Sequence, residues 1–152
     1  DFEVMTMVEV QNMVEVVFST ITLLLSIIVA VSLIVGGVGI TNIMYVSVIE
    51  RTFEIGLRRA IGAKRRDILW QFLLEAIILT FLGGVLGVII GIAVSYLVYL
   101  LAISFGIKWS FNVSIFSVIM ALVFSVSIGI IAGVYPAKEA AKVDPIEALR
   151  KE

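Results

Sequence analysis

The side chains best able to do chemistry gather in one segment, Glu50-Arg51-Thr52-Phe53-Glu54-Ile55-Gly56-Leu57-Arg58-Arg59-Ala60-Ile61-Gly62-Ala63-Lys64-Arg65-Arg66-Asp67, which holds six of the eleven basic residues. Their pattern suits binding rather than bond-making. Glu54 and Arg58 stand four residues apart in acid-before-base order, and Ile49, Phe53 and Leu57 form an apolar row at the same spacing. Together they predict an amphipathic helix. Gly56 and Gly62 weaken or end helices, and Gly62-Ala63 supplies a turn before a second helix near Lys64. Such a unit can dock on a protein partner, or it can rest on anionic headgroups as basic amphipathic helices beside membranes do. On the residues alone both readings stand.

Other chemistry is largely excluded. The chain has no cysteine and no histidine, which removes disulfides, thiol nucleophiles, histidine acid–base catalysis and the common zinc sites. Val35-Gly36-Gly37-Val38-Gly39 is glycine-rich, but no Lys-Ser or Lys-Thr follows and no strand is predicted before it, so nucleotide binding by this chain is rejected. Paired carboxylates at a membrane face, which a membrane hydrolase would need, are missing as well. Glu75 just precedes a long uncharged run; within lipid it would be a functional candidate, and an interfacial position is the preferred reading.

The elements that position these residues are membrane helices. Of 152 residues 61% are hydrophobic and 15% charged, and the mean hydropathy of +1.18 is far above that of a soluble domain. The formal net charge of -1 averages an acidic N-terminal end and a basic centre. Ionisable residues are absent from Val16 to Ile49, Ala76 to Ile107 and Trp109 to Ala137, each longer than the roughly 20 residues that cross a hydrocarbon core. Three spans are predicted, about 17–38, 77–103 and 113–135. Ahead of them, Glu3, Thr6, Glu9, Asn12 and Glu15 alternate with apolar residues as an amphipathic helix leading into the membrane. That N-terminal region has no lysine or arginine, so the first span is read as permanent rather than as a cleaved signal. A start at Asp1 in mid-helix suggests a fragment or processed product.

Basic residues set the expected orientation. Beyond the 50–67 segment, Lys138, Lys142, Arg150 and Lys151 all follow the third span, whereas only Lys108 lies between the second and third. The positive-inside rule then puts the 50–67 and 138–152 segments in the cytoplasm and the N-terminus outside. Trp109 and Tyr135 fall at the two ends of the third span, as interfacial aromatics do.

Small residues mark helix faces. Gly83, Gly87, Gly91 and Ser95 share one face of the second span, and Ser125, Gly129 and Gly133 repeat the spacing in the third. Both predict close helix packing, within or between subunits. Pro136 predicts a break or kink where the third span leaves the membrane. Asp144-Pro145-Ile146-Glu147 puts a cap, a first-turn proline and a third-position glutamate in order, so a short helix is expected there.

At these residues the sequence resembles the FtsX-like permease family of ABC transporters, in its MacB-type branch. The likeness covers Gly36-Gly37-Val38-Gly39-Ile40-Thr41-Asn42-Ile43-Met44, Val46-Ser47-Val48-Ile49-Glu50-Arg51-Thr52, Glu54 to Ala63, Tyr135-Pro136-Ala137 and Asp144 to Arg150. It implies an all-α membrane bundle and a permease that pairs with a second copy and with an ABC ATPase, which would bind ATP and Mg; the chain itself would hold no cofactor, metal or catalytic residue. It further implies that Glu50, Arg51, Glu54, Ile55, Gly56, Arg58, Arg59 and Ala60 couple to that ATPase, with Gly62 and Ala63 shaping the turn. The family commonly has four spans and a large extracytoplasmic domain, so 1–16 would end a stalk helix and 17–152 would be the remaining membrane domain. An extracytoplasmic adaptor or substrate protein is a further implied partner; nucleic acid is not. The competing expectation is a small oligomeric channel or scaffold, disfavoured because the polar residues within the spans are few and mostly serine.

Overall fold

A computed structural model describes residues 7–107 and 110–150, and they form α-helices joined by short turns, with no strand among them. In chain order these are α1 (Met7–Glu50), α2 (Thr52–Ala60), α3 (Arg65–Ser104), α4 (Ile115–Lys142) and α5 (Pro145–Arg150). Three of them, α1, α3 and α4, are long and apolar enough to cross a bilayer. At 44 and 40 residues, α1 and α3 are about twice the ~20 residues a hydrocarbon core requires, so each carries turns to spare. The second span therefore continues without a break from the helix predicted near Lys64. Glu3, Thr6, Lys108, Trp109 and Lys151 lie outside the described residues.

The chain divides into two units at Gly36. In the first, the described residues are a single helix, and a lone helix buries no core of its own. Its hydroxyls are nevertheless satisfied: Ser19, Thr20, Thr22, Ser26 and Ser32 each donate to a carbonyl three or four residues back. These five hydroxyl protons are thereby kept from an apolar solvent.

The second unit has a core where the helix ends meet. Met44 and Val48 of α1, Ile55 of α2, Ile68, Phe72, Leu73 and Ala76 of α3, and Ala137 and Ala140 of α4 are buried together. From this core outward α3 and α4 pair through small residues. A Cβ placed on Gly133 would lie 2.6 Å from the Ala76 Cβ, one on Gly129 2.1 Å from the Thr80 Oγ1, and one on Gly84 2.7 Å from the Ser125 Oγ. The Ser125 hydroxyl donates to the Thr80 carbonyl at 2.6 Å, a cross-helix bond that only such close backbones permit. Gly83, Gly87 and Gly91 have open space where a Cβ would stand. Within the chain, then, Ser125, Gly129 and Gly133 of α4 meet Gly84, Thr80 and Ala76, whereas on the predicted face of the second span Gly83 and Gly87 have no neighbour and Gly91 and Ser95 line a cavity shared with Ser117, Val118 and Ala121 of α4.

Of the break or kink expected at Pro136, the break does not occur. Helix α4 runs through it, with Pro136 buried inside the helix. A proline cannot donate to the carbonyl four residues back, here that of Ala132, and the Thr41 hydroxyl approaches that oxygen at 3.1 Å. The same hydroxyl lies 3.0 Å from its own Gly37 carbonyl, so its proton is shared. A neighbouring helix supplies what the proline removed, and the helix continues.

Candidate coupling surface

Helix α2 is held by both ends and one face. Only Arg51 separates it from α1, and the backbone bonds Arg51 N–H to Ser47 and Ile55 N–H to Arg51 carry the helical ladder across the junction. Its C-terminus is a Schellman turn: Gly62, at φ 112°, donates to the Arg59 carbonyl, and Ala63 donates to Arg58. Glycine is required there because side chains strain that backbone region. Asp67 accepts the Lys64 N–H at 3.0 Å and so helps start α3 one turn later.

The inward face is Ile55 and Gly56, both buried. Gly56 lies against α5, and a Cβ there would come within 2.4 Å of the Ala148 Cβ. Helix α5 begins as expected, with Asp144 Oδ1 accepting the Ile146 N–H at 2.8 Å, and this cap aims Ala148 at Gly56. Three arginines complete the bracing. Arg58 pairs with Glu54 and donates to Gln71 Oε1 of α3 at 2.9 Å. Arg59 donates to the Val143 carbonyl between α4 and α5. Arg51 forms an ion pair with Glu75 of α3 at 3.3 Å, which places Glu75 beside a counter-charge and accounts for its tolerance near an apolar run.

What α2 presents outward is the apolar row. Ile49, Phe53, Leu57 and Ile61 follow one another at four-residue steps and are 56%, 45%, 46% and 80% exposed. Glu50, Glu54 and Ala60 flank them, also exposed. Among the coupling residues expected from the sequence, Ile55 and Gly56 thus support the helix from inside, and Arg51, Arg58 and Arg59 tie it to α3 and to the α4–α5 link. Sequence reasoning did not find Gln71, Ala148 or Thr41, and it left Glu75 without a partner. Glu75 carried a signal, a charge at the start of an apolar run, and Thr41 and Ala148 lie in stretches that carry the family resemblance; Gln71 carried none. An exposed row of apolar side chains on a braced helix can bind a protein groove; it offers no nucleophile and no acid–base pair.

These features define an all-α integral membrane protein with a short exposed helix between two of its membrane-length helices. Residues 26–145 match the model of the FtsX-like permease C-terminal region, and the chain belongs to the FtsX-like permease family. It is 52% identical, over 151 residues and 99% of its length, to the macrolide export ATP-binding/permease protein MacB of Bdellovibrio bacteriovorus. It is 47% identical to a MacB 2 protein of Yersinia pestis over all 152 residues, and 45% identical to MacB of Agrobacterium fabrum over the same 152. In each case the chain spans about a fifth of the relative, 22%, 22% and 23% respectively.

Proposed function

We propose that this chain is the membrane portion of an ABC transporter permease. It would pass the conformational cycle of a partner ATPase, which binds ATP and Mg, to the extracytoplasmic side, driving efflux or export. The observation that carries this reading is the exposed row Ile49–Phe53–Leu57–Ile61 on a helix fixed from three directions. A transmitting element must be sticky on one side and stiff on the other, because a loosely held helix would absorb displacement instead of relaying it. The relatives' names join ATP binding to a permease, which supports an ATPase as the occupant of that row.

In this reading the basic segment 50–67 lies in the cytoplasm, as the positive-inside rule requires, within the inner or cytoplasmic membrane. The N-terminal turns of α1 leave on the opposite side as the base of a stalk. The face of Gly83, Gly87, Gly91 and Ser95, bare at Gly83 and Gly87, is the place for a second permease copy, since close backbone approach is what drives helix association in lipid. An adaptor or substrate protein would meet the stalk.

The test is co-purification with the cognate ATPase in nanodiscs. F53D/L57D is expected to abolish association and the stimulation of ATP hydrolysis while the chain still inserts. Wild-type association by that variant, or no association of the parent chain under any nucleotide condition, would leave a channel or scaffold as the better description.

A further inference from the structure

The cations around α2 and α3 fall into two sets. Arg51, Arg58 and Arg59 are bonded within the chain. Lys64, Arg65 and Arg66 are exposed, and among the described residues their side chains have no ion-pair or hydrogen-bond partner. The one acid beside them, Asp67, is turned onto the Lys64 N–H. These four charges leave an excess of positive charge at the start of α3. First-turn N–H groups of a helix lack intrahelical acceptors, and the aligned peptide dipoles add to the positive potential there.

A second observation fixes what lies next to that charge. From Arg66, four-residue steps along α3 reach Trp70, Leu74 and Ile78, on one face. They are 47%, 50% and 56% exposed. The opposite side of the same turns is occupied, by the buried Ile68, Phe72, Leu73 and Ala76 and by the ion-paired Glu75. The outward order is therefore guanidinium, indole, aliphatic. That is the order in which a bilayer presents phosphate, interface and hydrocarbon.

We propose that this end of α3 is a binding site for an anionic phospholipid, with the headgroup phosphate held by Lys64, Arg65 and Arg66 and the acyl chains laid along Trp70, Leu74 and Ile78. A soluble protein partner could neutralise the cations, but it would have to follow Leu74 and Ile78 into the hydrocarbon to cover the rest of the face. A lipid covers both with one molecule. The site differs from the apolar row of α2 and does not depend on ATPase docking.

Trp70 is its own reporter. The chain has two tryptophans, so W109F leaves Trp70 as the only indole. Reconstituted in phosphatidylcholine nanodiscs, that chain is titrated with acyl-brominated phosphatidylglycerol or, at equal mole fraction, acyl-brominated phosphatidylcholine, and Trp70 quenching is compared. A preference of roughly fivefold for the anionic lipid is expected, the scale of one basic residue at a charged surface. K64Q/R65Q/R66Q should bring the two lipids to parity, and R65K/R66K should keep the preference. Equal quenching by both lipids in the W109F chain would overturn the site. So would a preference that survives K64Q/R65Q/R66Q, whether or not that variant loses its hold on the ATPase, because these cations would then not be reading the lipid.

Discussion

Two helices of this protein each carry two faces of similar make-up, and in each only one face is used by the chain itself. On α3, Ala76, Thr80 and Gly84 are pressed against α4, while Gly83 and Gly87 are bare. On α2, Ile55 and Gly56 are buried against the core and α5, while Phe53 and Leu57 are exposed. Composition does not separate used from unused: both α3 faces are rich in small residues, and both α2 faces have aliphatic side chains. What separates them is the partner opposite. The used faces meet side chains cut to fit, such as Ala148 under Gly56 and Ser125 beside Gly84. The unused faces are the places where another molecule can act.

The sharpest way to break this contrast is to enlarge one glycine on each kind of face. Gly129→Leu should be the most damaging, because even its Cβ falls 2.1 Å from Thr80 Oγ1 and 2.9 Å from both the Cβ and the Cγ2 of that β-branched side chain. A loss of about 3 kcal/mol or more, the upper end for overpacking, is expected, seen as a large drop in thermal stability in detergent. Gly87→Leu should leave that stability unchanged and instead alter self-association in cross-linking. Equal melting shifts for the two would erase the distinction.

Gly56→Ala tests the used face of α2. About 1–3 kcal/mol of strain against Ala148 is expected, read as faster hydrogen exchange in α5. Ala148→Gly should restore protection in the double variant, as contacting residues couple; failure to rescue would mean that α5 is not held by this contact.

A smaller effect, about 1–2 kcal/mol, is expected from Thr41→Val, which leaves the Ala132 carbonyl without its donor. Pro136→Ala in the same chain should reduce that penalty, since alanine restores the N–H that α4 lacks. Additive costs in the double variant would show that Thr41 does not serve the proline.

Least of all should follow from Arg51→Gln. The side chains of Arg51 and Glu75 are 47% and 32% exposed, and pairs of that kind are worth about 0–1 kcal/mol. A small, salt-sensitive shift is expected in a thermal melt, and a larger one would mark the pair as part of the bracing of α2.

Much of this was legible in the residues. Uncharged runs gave three membrane helices because hydrocarbon tolerates no unsatisfied backbone and few charges, a demand written directly into composition. Gly62 and Asp144 signalled their turn and cap because both act over a few residues. Family membership was also readable, since charged segments such as Glu54 to Ala63 are not reproduced by hydrophobicity alone. At Pro136 the local rule allows a break or a kink, and the helix does not break, because a hydroxyl 95 positions away, Thr41, supplies the missing interaction.

The sequence by itself determined that three helices are long and apolar enough to cross a membrane, where the turn after α2 and the cap of α5 fall, and which family the chain belongs to, because those depend on local preferences and on the solvent. Only the tertiary structure decided which stripe of small residues faces α4, that Arg51 pairs with Glu75, and that Phe53 and Leu57 are left uncovered. Such choices depend on partners distant in the chain, and a helical period marks a face without saying what will stand against it.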